Sequence, residues 1–190
     1  DWIVEAVFER LDVKQATYAR IEQVRKPGSI VSSNTSGIPA RQLMEGRDAS
    51  LRQHFLITHF FNPVRFLKLL ELVPDVDTDP AVVAFMGQFA TARLGKGTVV
   101  CKDTPGFIAN RLGNYGMLAT LHRALAEGYG FDQVDAILGT PMGRPRSAVF
   151  GTADIAGLDI LVDVADGLYR NLPDDPFPET FKLPDFARTM

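Results

Sequence analysis

Two rhythms of apolar residues divide the chain. As far as Asp103, short apolar runs alternate with longer stretches of helical period. "WIVEAVF", "SIVSS", "HFLITHFFNP", "LKLLELVP" and "TVVCKD" have the β-branched and aromatic content of buried strands. Between the first two, Leu11, Val13, Tyr18, Ile21 and Val24 fit one face of an amphipathic helix that ends at Lys26-Pro27-Gly28. "IPARQLMEG" reads as a short helix with Pro39 in its first turn. "DTDPAVVAFMGQFATARLGKG" reads as a longer helix, with an acidic cap before it and Gly95 to Gly97 after it. Parallel neighbours need a crossover connection, usually helical, so this alternation predicts a mainly parallel sheet of the α/β class.

The rhythm changes after "KDTPGF". "FIANRLGNYGMLATLHRALAEGY", "FDQVDAILG" and "DIAGLDILVDVADGLYRNL" predict three helices and no strand. Pro105 and Gly106 mark the expected boundary, between an α/β unit at residues 1–104 and an all-α unit at 105–190. The closing "PDDPFPETFKLPDFARTM", rich in proline and acids, reads as an extended or partly ordered arm. The opening, without methionine and directly on a strand pattern, reads as a fragment.

Composition narrows the function classes. With 190 residues, 46% of them hydrophobic, the chain can bury a real core. A net charge of -3 gives no general attraction for nucleic acid or an anionic membrane, and no apolar run approaches the roughly 20 residues of a membrane span. A single cysteine, Cys101, has no partner for an internal disulfide; its setting is that of a small buried hydrophobe and points towards a reducing compartment.

Candidate chemistry centres on "ITHFFNP". A lone histidine in an apolar strand is ordinarily structural, but His59 stands where a strand gives way to a loop, the edge at which open α/β sheets bind ligands. Glu71 interrupts the apolar run "LLELV", where an ionised carboxylate needs a partner. Strand, turn, strand would bring the two together as an oriented general base, against the alternative of an outward-facing edge residue. In "SSNTSG", Ser36 is either part of a polar turn or a ligand contact; Asn110, early in the first helix of the second unit, is either a local cap or a cleft residue. His54, His59 and His122 lack metal-ligand spacing, and neither a P-loop nor a G-x-S-x-G nucleophile motif occurs.

In order and spacing, "VEAVFERLDVKQ", "SSNTSG", "THFFNPV", "KLLELV" and "DTPGFIANRL" resemble the NAD-dependent L-3-hydroxyacyl-CoA dehydrogenase family, over nearly the whole chain. "MGRPRSAVFGTADIAGLD" resembles that family's helical C-terminal domain, above all in multifunctional β-oxidation enzymes that also carry an enoyl-CoA hydratase module. The resemblance implies the later part of a Rossmann-like NAD-binding domain, followed by the helical domain. By the same resemblance, His59 is the base that takes the 3-hydroxyl proton and Glu71 orients it, with Asn110 and Ser36 near the reacting oxygen and the nicotinamide. Ala6, Glu9, Lys14, Ser36 and Asn62 match cofactor-lining positions; Lys68 matches a motif position without an assigned role. NAD and an acyl-CoA are the implied ligands. The apolar face of "LDILVDVADGLY" gives a motive for homodimerisation through the helical half. The compartment would be the cytoplasm in a bacterium, or a mitochondrion or peroxisome elsewhere. One departure is large: the family's G-x-G-x-x-G unit, the main pyrophosphate site, has no counterpart in these residues. Two rival readings are a non-catalytic binding protein on the same fold and an unrelated lyase or hydrolase using His59 with Glu71.

Overall fold

The computed structural model describes residues 1–188 and divides into two compact units, Asp1–Ile108 and a second beginning at Ala109. Each follows from its own pattern of apolar positions.

The first unit is built on a five-stranded sheet in sequence order: β1 (Trp2–Glu5), β2 (Ile30–Ser33), β3 (Phe55–Phe60), β4 (Leu69–Pro74) and β5 (Gly97–Val100). The β1-β2, β2-β3 and β4-β5 pairs are parallel, whereas β3 and β4 are antiparallel. Helices α1 (Leu11–Val24), α2 (Ala40–Leu43), α3 (Ala49–Gln53) and α4 (Pro80–Leu94) supply the crossovers. Because strand side chains alternate, each strand feeds two cores. Val31, Phe55, Ile57 and Val73 pack with Tyr18, Leu43 and Leu51, while Ile30, Leu56, Leu70 and Leu72 pack with Val82, Met86 and Ala90. Burying each of these larger side chains contributes about 1.5–3 kcal/mol.

Local signals set the helix ends. Asp79 caps α4 by accepting the Ala81 N–H at 2.8 Å, Pro80 occupies its first position, and Gly95 closes it in the left-handed conformation. No apolar period in the sequence marks α3; it is one turn long, capped by Asp48 on the Leu51 N–H.

The second unit is helical: α5 (Ala109–Glu127), α6 (Phe131–Leu138), α7 (Phe150–Ala156) and α8 (Leu158–Asn171), with 3-10 turns at Thr140–Met142, Pro178–Phe181 and Asp185–Arg188. Two expectations need correction. The stretch expected as one helix is two, because Gly157 takes φ 103° and stops α7 before α8 begins. The closing segment is not an extended arm. Phe181 and Leu183 are buried with Leu118, Leu121, Ala165 and Leu168, and Arg111 pairs with Asp175, so isolated apolar residues in a polar tail provide the anchors. Among the described residues no helix is long and apolar enough to cross a membrane.

Candidate functional site

The alternation that builds the α1-side core also places the polar residues of interest. Ile3, Val31, Phe55, Ile57 and Val73 occupy that face; two positions further along β1, β2 and β3 come Glu5, Ser33 and His59, and two positions before Val73 in the antiparallel β4 comes Glu71. His59 and Glu71 stand directly opposite in the antiparallel β3-β4 ladder, so their side chains share a face. The expected pairing of strand, turn and strand therefore has a specific form, a cross-strand pair.

His59 Nδ1 lies 2.8 Å from Glu71 Oε2, and its Nε2 lies 3.0 Å from Ser36 Oγ. Both members of the pair are buried, His59 at 3% and Glu71 at 0% exposure. Glu71 Oε1 accepts the Ile108 N–H at 3.0 Å. β5 pairs with β4 on its far side, so Glu71 belongs to an interior strand and the outward-facing alternative does not hold. The His59 ring meets Phe61 and Phe107 edge to face, at 4.5 and 5.4 Å between centroids. Phe107 takes a left-handed φ of 45°, a costly conformation for a bulky residue, just where its ring covers His59 and the next amide reaches Glu71. Cys101 lies nearby and is buried; burial first, and the Glu71 charge second, push its thiol up to about 11.

At the ends of β1 and β2 lies a second polar cluster. Lys14 Nζ donates to Glu5 Oε1 at 2.8 Å and Val7 O at 3.3 Å, and pairs with Glu9 Oε2 at 3.2 Å. Glu5 Oε2 accepts the hydroxyls of Tyr18 at 2.5 Å and Ser33 at 2.7 Å. Burial alone would raise the Glu5 carboxyl, but the donors Lys14, Tyr18, Ser33 and the Val7 amide outweigh it and hold the group below its ordinary value. Glu9 Oε1 accepts the Thr35 hydroxyl and, at 3.0 Å, the Ser36 N–H. The two clusters thus meet at Ser36.

Ala6, Glu9, Ser36 and Asn62 are exposed at or just beyond the carboxyl ends of the parallel strands β1, β2 and β3, and Lys14 is buried beside them. The Glu9 carboxylate, the Ser36 hydroxyl and the Asn62 amide at that edge could hold the sugar hydroxyls and carboxamide of a nicotinamide riboside, whereas the buried Lys14 ammonium is committed to Glu5, Glu9 and the Val7 carbonyl. The connection carrying Asn62 is tied down by Lys96, whose buried ammonium donates to the Val64 and Leu67 carbonyls and lies 5.6 Å from the Phe60 ring centroid. Lys68 is exposed at the end of that connection.

Asn110 belongs to the helical unit, in the first turn of α5. There it lines a cleft of about 450 Å³ with Asn114, Arg144 and Thr152, beside Leu112, Met117 and Val149. Its carbonyl accepts the Asn114 side chain at 2.7 Å.

Reading the sequence missed Glu5, Tyr18, Ser33 and Lys96. Lys14 carried a signal that leads to the first three: it falls on the apolar stripe of α1, three residues after Leu11 and four before Tyr18, where a cation needs a buried partner.

Comparison with known proteins agrees along the whole length. The model for the 3-hydroxyacyl-CoA dehydrogenase NAD-binding domain matches residues 1–104, and that for the 3-hydroxyacyl-CoA dehydrogenase C-terminal domain matches residues 106–188. A Bacillus subtilis protein named "Probable 3-hydroxyacyl-CoA dehydrogenase" is 50% identical over all 190 residues, which span 24% of its length. A Deinococcus radiodurans protein of the same name is 43% identical over 190 residues, spanning 54% of its length. The chain thus spans about a quarter of one of these curated relatives and about half of the other. The crystal structure of M. tuberculosis FadB2 superposes with a TM-score of 0.88 at 31% identity, covering 100% of this chain and 64% of that one. The chain belongs to the 3-hydroxyacyl-CoA dehydrogenase family.

Proposed function

We propose that the whole protein oxidises L-3-hydroxyacyl-CoA thioesters to 3-ketoacyl-CoA with NAD, as a step of fatty-acid β-oxidation. The observation that carries the reading is His59 held between Glu71 on Nδ1 and Ser36 on Nε2. A buried carboxylate at Nδ1 fixes the tautomer in which Nδ1 carries the proton, leaving the Nε2 lone pair to receive another. His59 takes the 3-hydroxyl proton at Nε2, and the resulting imidazolium is stabilised by Glu71. The electron pair of the O–H bond forms the C3 carbonyl as hydride leaves C3. Bound NAD supplies the acceptor for that hydride. Ser36 hydrogen-bonds the substrate oxygen as His59 exchanges its proton, and Asn110 keeps the substrate-contacting role that the family resemblance implies for it. Glu9, Ala6 and Asn62 would line the nicotinamide riboside, with Lys14 behind Glu9 and paired to it. Three further elements belong to the same proposal: a cytoplasmic setting, supported by the bacterial sources of both relatives, an enoyl-CoA hydratase module fused to the chain, and pairing of two copies through the helical domain.

The test follows NADH absorbance with full-length protein, L-3-hydroxybutyryl-CoA and a longer analogue. His59→Ala is expected to lower kcat by about 10² to 10⁴; a loss under about threefold would remove His59 from the role of base. A folded wild type that makes no NADH with either substrate would sink the reading and favour a binding protein on this fold.

A further inference from the structure

We infer that Glu5 is a positioning residue for His59, acting through Lys14, Glu9 and Ser36; the inference rests on the reading of His59 as the base. Each link is set by full use of the groups that form it. Glu5 is 3% exposed, and both its oxygens are engaged: Oε1 by the Val7 amide at 2.7 Å and by Lys14, Oε2 by Tyr18 and Ser33. No room remains for Glu5 to turn. Lys14 is 1% exposed and its three donors meet three acceptors, Glu5, Glu9 and the Val7 carbonyl.

Glu9 is the opposite case, with nearly half its side chain exposed. A carboxylate in water has many rotamers, and the fixed ammonium of Lys14 on one oxygen favours the one that sets the other against the Thr35 hydroxyl and the Ser36 N–H. Those two contacts shape the turn after β2, and the turn sets Ser36 Oγ at 3.0 Å from His59 Nε2. Stability alone gives no reason for such a cluster. A buried ion pair roughly offsets its own desolvation, and an apolar pair of the same volume serves a core as well. A charge pinned at one end and leaning on a half-exposed carboxylate at the other is suited to fixing a position.

A double-mutant cycle in the full-length protein tests this, read as kcat with saturating NAD and 3-hydroxyacyl-CoA. Glu5→Gln is expected to lower kcat about tenfold, and in a Ser36→Ala background to lower it by less than about twofold further. Effects that multiply would show that Glu5 does not act through Ser36 and would overturn the inference. A second readout is independent of turnover: the 15N shift of His59 Nε2, assigned by its absence in His59→Gln. Glu5→Gln should move that signal in the same direction as Ser36→Ala. An unmoved signal overturns the positioning role, whereas a moved signal in a protein without turnover upholds it and removes only the catalytic reading. If Glu5→Gln does not fold, Tyr18→Phe and Ser33→Ala each remove one donor from Oε2. Both should lower kcat by about two- to fivefold and move the same signal; wild-type values for both would refute it.

Discussion

In the sheet unit, two buried carboxylates, Glu5 and Glu71, face a lysine and a histidine across neighbouring elements; in the helical unit, Asp135 faces three backbone amides, and Asp175 a backbone amide and the Arg111 guanidinium. Asp135 accepts the N–H groups of Val149, Phe150 and Gly151 at 2.8 to 3.0 Å and so fastens the start of α7 to α6. Asp175 accepts the Phe177 amide at 2.8 Å and the Arg111 guanidinium, which fastens the closing segment to α5. The same functional group thus does two kinds of work. Where its partners are amides or a fixed guanidinium, it holds the chain in place; under the proposed function, where its partner can gain or lose a proton or carry a charge to an exposed neighbour, it conditions chemistry.

This contrast between the units is most exposed to failure at Glu71. Glu71→Gln keeps an acceptor for Nδ1–H but cannot stabilise the imidazolium, so kcat in the full-length protein should fall by at least about tenfold. Steady-state kinetics beside urea unfolding separate the two roles: a loss of stability with kcat intact would put Glu71 in the same class as Asp135. Asp135→Ala should do the reverse, lowering stability by about 1–2 kcal/mol in urea titration while kcat stays within about twofold.

Acid sharpens that second case. Burial would lift the Asp135 carboxyl, but the amides of Phe150, Gly151 and Val149 outweigh it and hold it below 3.8. Its folded value is depressed, so its stabilisation is complete above 3.8 and drains away as pH falls through the lower folded value. The gap between wild type and Asp135→Ala should therefore narrow as unfolding is measured from about pH 5 towards about pH 3. The smallest effect is at Cys101. With its thiol pushed up to about 11, iodoacetamide at about pH 8 should label it far more slowly in the native protein than in urea, as followed by mass spectrometry.

Much of the sheet was legible because strand and helix periods differ and each element carries its own stop signals. His59 and Glu71 were legible as a pair for a related reason: a charged residue in one apolar run demands a partner, and the next run supplies one. Glu5 was not, since a glutamate closing "WIVE" looks the same as a residue entering solvent. Its burial depends on a helix that starts beyond the next turn and on a serine from another strand. The division of α7 from α8 was hidden because a lone glycine in an apolar period is compatible with an unbroken helix; only its φ of 103° breaks it. Phe181 and Leu183 were masked by the prolines and acids around them, whose composition argued for an arm.

The antiparallel ladder between β3 and β4 carries a rule for how this protein can change over time. Face-sharing between His59 and Glu71 depends on strand register and not on the length of what joins the strands. The length of the connection from Phe61 to Lys68 therefore does not by itself decide whether the pair persists. A single residue inserted inside either strand would be another matter. It would turn one member of the pair to the opposite face of the sheet, so insertions should accumulate in one place and be purged a few residues away.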